Sequence, residues 1–488
     1  MIRYTLLTIL IAFLSVYAWR DWYKTLCVLI VLMAFVEHPE MPKTLFGIPG
    51  LNPWNLVLLS VLMSWFVHRR VENLRFDFPR VYGLLLSCYL VVMVVGFFRG
   101  YSDTAGIVEL YDAFGAVPPS KGNLLIDNLI NPLKWAIPGL LLFTGAHTRE
   151  RQTWAMVALL SVCILLGLQV VRWMPLGLLA DGSALSDRAL RVFDREIGYH
   201  RVDLAALTAG GFWAIMNYRA SIDSRAWKLA LLVSALIVLL ALALTGGRTG
   251  YGTWAALGMF FALMRSKKYL IAVPIVGMLV LVLVPAAQER MTYGFNEEEV
   301  EASIERFGTD DLVYGGIDLN AVTSGRAIAW PFVIEKIGEA PWLGHGQLAM
   351  KRTGISLELM DTFGRGQSFP HPHNAYLELV LDNGLIGAFP VLLFFFFVVK
   401  SSLRTLRDRQ HAFESAVAAV TLSFIGAQML ASIGSQSFYP AAGTVVMWSA
   451  IGLQLRVLVQ RTARQVVAEP GRVAPRRRIP AVSSHATS

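Results

Sequence analysis

Long apolar runs, almost free of charge, recur along most of the chain. This constrains the fold more than any other feature, because a bilayer core takes about 20 apolar residues per helix and only helices or closed barrels satisfy the backbone inside it. Candidate spans are 4–19, 24–37, 53–68, 81–98, 129–146, 153–174, 201–218, 226–245, 249–265, 269–286, 384–400, 411–433 and 438–459. The first two are short and the first 38 residues could form one span or two, so the expectation is an all-α polytopic membrane protein of about 12–13 transmembrane helices. Composition agrees. Charged residues are 16% of the 488 and apolar residues 55%, with a mean hydropathy of +0.53. Soluble domains carry about 25% charge, so polar, disordered and fibrous classes are excluded.

The net charge of +9 could point to nucleic acid, but its location argues otherwise. Lys and Arg gather in 68–80, 147–152, 218–228, 265–268, 400–411 and the tail, on every second connection. Short basic loops stay cytoplasmic, so these connections are placed inside and no nucleic-acid partner is expected. The intervening segments then face outward. The longest, 287–372, has seven Lys/Arg and thirteen Asp/Glu. It is too long for a structureless loop and is expected to form a small lid with short helices. The domain reading is an N-terminal bundle (1–286), this loop (287–372), C-terminal spans (373–461) and a disordered basic tail (462–488) that touches membrane lipids. The acidic run Glu297–Glu299 with Glu301 reads as a solvated helix face. Met1-Ile2-Arg3 and the apolar stretch to Trp19 imitate a signal peptide but read as a retained first helix. Cys27, Cys88 and Cys163 are scattered through apolar runs, so neither a disulfide nor a cysteine metal site is expected.

Four features fall on the outward side. Thr245-Gly246-Gly247-Arg248 joins two spans, and Arg201, beside His200, begins another. Ser324 reads as an N-cap that puts Arg326 in the first turn of a helix. Backbone N–H groups there favour an anion, and a guanidinium adds a bidentate phosphate contact. An interfacial arginine on an amphipathic helix is the plainer alternative. Pro370 and Pro372 hold the chain extended before a helix over 374–382 that stops at Gly384. His373 at that N-terminus should be neutral near pH 7, as a general base requires, though it could equally be a capping residue. His345, between Gly344 and Gly346, reads as a turn residue. A zinc site from His345, His371 and His373 lacks any HExxH or cysteine partner.

Gly-Gly-Arg at a span start, then Ser324-Gly325-Arg326 with Trp330, Leu343-Gly344-His345-Gly346, His373-Asn374-Ala375-Tyr376-Leu377-Glu378 and Asn383-Gly384-Leu385-Ile386-Gly387 follow one another. In that order they resemble the O-antigen ligase/polymerase superfamily, most sharply over about 245–400. The resemblance implies an inner-membrane glycosyltransferase with a large periplasmic loop and its active site facing the periplasm. The donor would be an undecaprenyl-pyrophosphate-linked glycan and the acceptor a hydroxyl, with lipid A-core favoured; no metal or other cofactor is implied. It implies that His373 is catalytic, that Arg248 and Arg326 grip the pyrophosphate, with Arg201 matching by place alone, and that Asn374, Tyr376 and His345 support them. Polymerisation of O-antigen or exopolysaccharide repeats and protein O-glycosylation belong to the same superfamily. A transporter of polysaccharide or lipid-linked sugar is the alternative from another class.

Overall fold

The computed structural model describes residues 2–468 except 46, 49, 296–299, 302–303, 306–311, 364–368, 409 and 435–437. Glu297–Glu299 and residues 469–488 of the expected tail lie outside the described residues. Each of the thirteen apolar segments is helical. Among the described residues six helices are long and apolar enough to cross a bilayer: Arg80–Tyr101, Arg149–Trp173, Arg225–Leu244, Ala375–Leu406, Ala412–Ala431 and Ala442–Gln465. Tyr269–Leu283 and Pro285–Thr292, bent by 102° at their junction, make a broken seventh. The others are shorter or more polar. Arg201–Arg219 shows why hydropathy understates such a helix. It lies at the centre of the bundle against Ala412–Ala431, Arg225–Leu244 and Arg248–Met264. Protein rather than lipid surrounds it, so it carries a buried Thr208 and Asn217 and a run of Ala and Gly.

Small residues let the helices approach closely. A side chain at Gly452 would collide with the carbonyl of Gly139, where Val445–Ala468 crosses Asn131–Gly145. A Cβ at Gly250 would meet that of Ala205 at 2.7 Å. This contact brings the starts of Arg248–Met264 and Arg201–Arg219 together. At the opposite end of the bundle, cations pair with carboxylates. Arg456 is 2% exposed and grips Asp77 at 2.7 and 3.0 Å. Arg151 meets Glu72 at 2.7 Å, and Arg461 bridges Asp408 and Glu414. Arg461 and Arg464 both reach Glu414, and the last helix continues with them to Ala468.

The described residues of 285–363 form a layer over one end. A two-residue hairpin, Val313–Tyr314 with Ile317–Asp318, precedes the helices Leu319–Thr323, Arg326–Glu339, Ala349–Arg352 and Ile355–Phe363. The layer has its own apolar cluster, with Ala329, Val333, Ala349, Met350, Ile355 and Leu359 at its centre. Short helices at Ala105–Ala113 and Gly182–Val192 join it from connections where the sequence showed only loops.

The decisive local feature is the break in Ala375–Leu406. Gly384 takes φ 65°, ψ −178°, so the helix stops there as its glycine suggests and restarts at once. Four backbone groups lose their helical partners at such a break. The turn around Trp342–Gly346 replaces them. His345 and Gly346 donate to the carbonyls of Leu381 and Asp382 at 2.8 and 2.7 Å, while Leu385 and Ile386 donate to Pro341 and Trp342 at 2.8 and 3.1 Å. A side chain on Gly384 would strike the Trp342 carbonyl. The Leu-Gly-His-Gly turn is thus a backbone splice that couples the outer layer to the helix carrying His373.

Candidate active site

A cavity of about 540 Å³ opens where this layer meets the bundle. His373 lines it, with His200, His371, Lys351, Glu378 and Asp382 among the other residues. Pro372 passes over the outer layer, where the Trp330 indole donates to its carbonyl at 3.0 Å. His373 itself holds φ 48°, uncommon for a residue with a side chain and concentrated at functional sites. Asn374, not His373, caps the helix, accepting from the backbone of Tyr376 and Leu377 at 3.0 and 3.2 Å. The Tyr376 hydroxyl donates to the Met429 carbonyl at 3.0 Å. Asn374 and Tyr376 therefore hold His373 in place and do not enter the cavity.

The expectation of a neutral His373 stands, but for a different main cause. Burial pushes its pKa down to about 4, with Arg326 and His200 adding to the effect. The helix end is not needed. His371 stacks beside it, ring centroids 4.1 Å apart, and is pushed to about 2 by burial, His373 and Lys351. The His373 N–H reaches the His371 Nδ1 at 3.4 Å, so that nitrogen is the acceptor and the proton sits on Nε2. His345 is elsewhere. Its Nε2 meets the Lys336 carbonyl at 2.8 Å, so its ring supports the outer layer. Among the described residues no three His, Cys, Asp or Glu side chains gather as a metal would need.

The three arginines singled out from sequence do come together, and a fourth joins them. Arg201 and Arg248 each lie within electrostatic reach of Arg290 and Arg326. Arg248 is held by the Tyr293 and Ala321 carbonyls and the Ser324 hydroxyl, at 3.2, 3.1 and 2.8 Å. Ser324 is thus not the N-cap. It sits in the left-handed region, Gly325 takes the cap position, and the freed hydroxyl accepts from Arg248. Arg326 is the first residue of its helix as expected, donating to Thr323 and Gly434 carbonyls at 2.8 and 2.9 Å. Arg201 donates to the Ser186 hydroxyl at 2.8 Å. The Nε atoms of Arg201, Arg290 and Arg326 are buried without a partner, and none of the four guanidiniums pairs with a carboxylate among the described residues. Four cations in one place, without a carboxylate partner among the described residues, make a basin for a multiply charged anion.

Sequence reasoning missed Arg290, Asp382 and Tyr439, and it weighed His371 only as a zinc ligand. Arg290 follows Glu289 in an acid-rich segment and no motif marks it. Glu289 turns away to the Gly182 N–H at 2.6 Å and leaves Arg290 facing the other arginines. Asp382 accepts from the Tyr439 hydroxyl at 2.9 Å and the Ala349 N–H at 3.1 Å, and Asn383 donates to Tyr439 at 2.7 Å. The i, i+4 spacing of Glu378 and Asp382 was the one legible signal for that group.

No curated protein matches the chain. Residues 233–392 match a family model described as O-Antigen ligase, a stretch that contains Arg248, Arg290, Arg326, His371 and His373. The match covers about a third of the chain; over that stretch the chain is similar to the O-antigen ligase family, and together with the apolar helices this points to a multi-pass membrane protein and an enzyme of the ligase or polymerase type.

Proposed function

We propose that the protein transfers a glycan from undecaprenyl pyrophosphate to a hydroxyl acceptor, with lipid A-core the favoured acceptor, at the periplasmic face of the inner membrane. The observation that carries this reading is the basin of four arginines, unpaired with carboxylates among the described residues, of which Arg326 lies within electrostatic reach of a neutral histidine. The acceptor oxygen attacks the anomeric carbon as the bond to the pyrophosphate oxygen breaks. The hydroxyl proton passes to a ring nitrogen of His373. The electron pair leaves with the pyrophosphate, whose charge Arg201, Arg248, Arg290 and Arg326 hold, as a divalent cation does in other enzymes.

Donor binding also prepares the base. Arg326 helps to depress the His373 pKa. A pyrophosphate seated on Arg326 offsets that charge, so the imidazole becomes more basic when the leaving group is in place. General-base help is worth about 10²–10⁴ in rate. The test is transfer by His373→Ala in proteoliposomes supplied with the lipid-linked glycan and lipid A-core. Loss of transfer by about two orders of magnitude or more is expected, with monodisperse protein. Transfer at the wild-type rate would remove His373 from the chemistry.

A further inference from the structure

The cavity beside His373 presents hydrogen-bonding groups of the opposite kind to the arginine basin. Gln347 is 6% exposed, lines the cavity, and its Oε1 has no hydrogen-bond partner. Such a buried orphan acceptor is costly unless something occupies it. Glu378 and Asp203 also line the cavity, and neither carboxylate receives a hydrogen bond among the described residues. Asp382 nearby is already satisfied by Tyr439 and Ala349. Lys351, beside Glu378, is the one ammonium in the lining. The arginine side therefore offers donors alone. The Gln347 side adds acceptors that the arginine side lacks: the Gln347 Oε1 and the Glu378 and Asp203 carboxyl groups. An anion fits the first better than the second, where its oxygens would face these oxygens. A polyhydroxyl ligand fits the second, since each hydroxyl brings a donor.

We propose that Gln347, Glu378 and Asp203 form a subsite for the hydroxyl groups of an unphosphorylated acceptor sugar, which they hold with its attacking oxygen toward His373. This rests on the glycan-transfer reading above and names the chemistry of its second substrate. The volume of about 540 Å³ lies within the usual range for a small-molecule site. A phosphate on the acceptor ring would be excluded by the same groups that accept its hydroxyls.

The experiment uses the full chain in proteoliposomes with an undecaprenyl-pyrophosphate-linked glycan. The acceptor probes are fluorescent octyl glucoside and its 6-phosphate. Release of glycan to water is followed separately, because it needs the donor basin and His373 but no acceptor sugar. Gln347→Ala and Glu378→Ala should each raise the KM for octyl glucoside about 10-fold, the effect of one lost hydrogen bond to a charged or buried partner. Release to water should fall much less than transfer, and Glu378→Gln should recover most of the affinity. The 6-phosphate should be used at least about 10-fold less well than the neutral glycoside. An unchanged KM in both alanine variants overturns the subsite. So does a parallel loss of release and transfer, equal use of both probes, or release without any use of octyl glucoside. Absence of both release and transfer in the wild type would overturn the glycan-transfer reading itself, and the subsite with it.

Discussion

Acid should spare this enzyme far more than an ordinary histidine base would allow. A histidine of pKa 6.5 is only about 3% neutral at pH 5, whereas one held at about 4 is about 90% neutral there. Under subsaturating donor, kcat/KM reports the free enzyme. Its acid limb should therefore fall near pH 4, and the rate at pH 5 should stay close to that at pH 7. With saturating donor, kcat reports the loaded enzyme. Pyrophosphate on Arg326 then compensates the charge that depresses His373, and the limb should shift upward. Arg326→Gln should raise the limb of kcat/KM in the same direction. The rise should stop well short of 6.5, because burial is the larger cause of the depression and survives the substitution. The assay is initial-rate transfer in proteoliposomes between about pH 4 and 8. An acid limb at 6–6.5 in the wild type would refute the buried, neutral base. A limb that Arg326→Gln leaves unmoved would refute the coupling between the arginine basin and His373.

Further outcomes follow from the same contacts. Folding stability should fall as pH drops from about 6.5 toward 4, because the unfolded chain binds the His373 proton first. The loss from His373 alone should be about 2–3 kcal/mol once residual exposure is allowed for; His371 adds its own loss over the same window, so His373→Gln should reduce the pH dependence of melting there without removing it. Arg290→Ala should weaken donor use about 10-fold or more while leaving the melting temperature within a few degrees, since among the described residues its guanidinium pairs with no carboxylate; equal KM for donor would exclude it from the basin. Gly384→Ala should destabilise by at least about 1–2 kcal/mol, from its positive φ and the Trp342 carbonyl, and reduce detergent-stable yield. Asp77→Ala leaves Arg456 buried and unpaired, which should lower stability by about 3 kcal/mol in thermal unfolding while transfer by the folded fraction persists.

Charge distribution shows what could be read from sequence and what could not. Helix positions followed from hydropathy, because backbone hydrogen bonding in an apolar medium leaves few alternatives. The break at Gly384 was visible too, since a glycine ending one apolar period and opening the next has few other uses. Its repair was not. The contact between Gly384 and Trp342–Gly346 is backbone on backbone across 40 residues, and no side-chain pattern encodes it. The arginines divide in the same way. Arg151, Arg456, Arg461 and Arg464, on the side where basic loops fix orientation, have carboxylate partners. Arg201, Arg248 and Arg326 stood out because orientation does not require them where they are, and among the described residues no carboxylate pairs with them. Arg290 escaped notice because its sequence neighbour Glu289 supplies an obvious partner. The fold removes that partner by giving its carboxylate to the Gly182 N–H. An arginine's availability for a ligand is thus a property of where the nearest carboxylate is turned. One sequence records that a carboxylate is nearby, but only the packing of Gly182–Val192 against Pro285–Thr292 decides its direction.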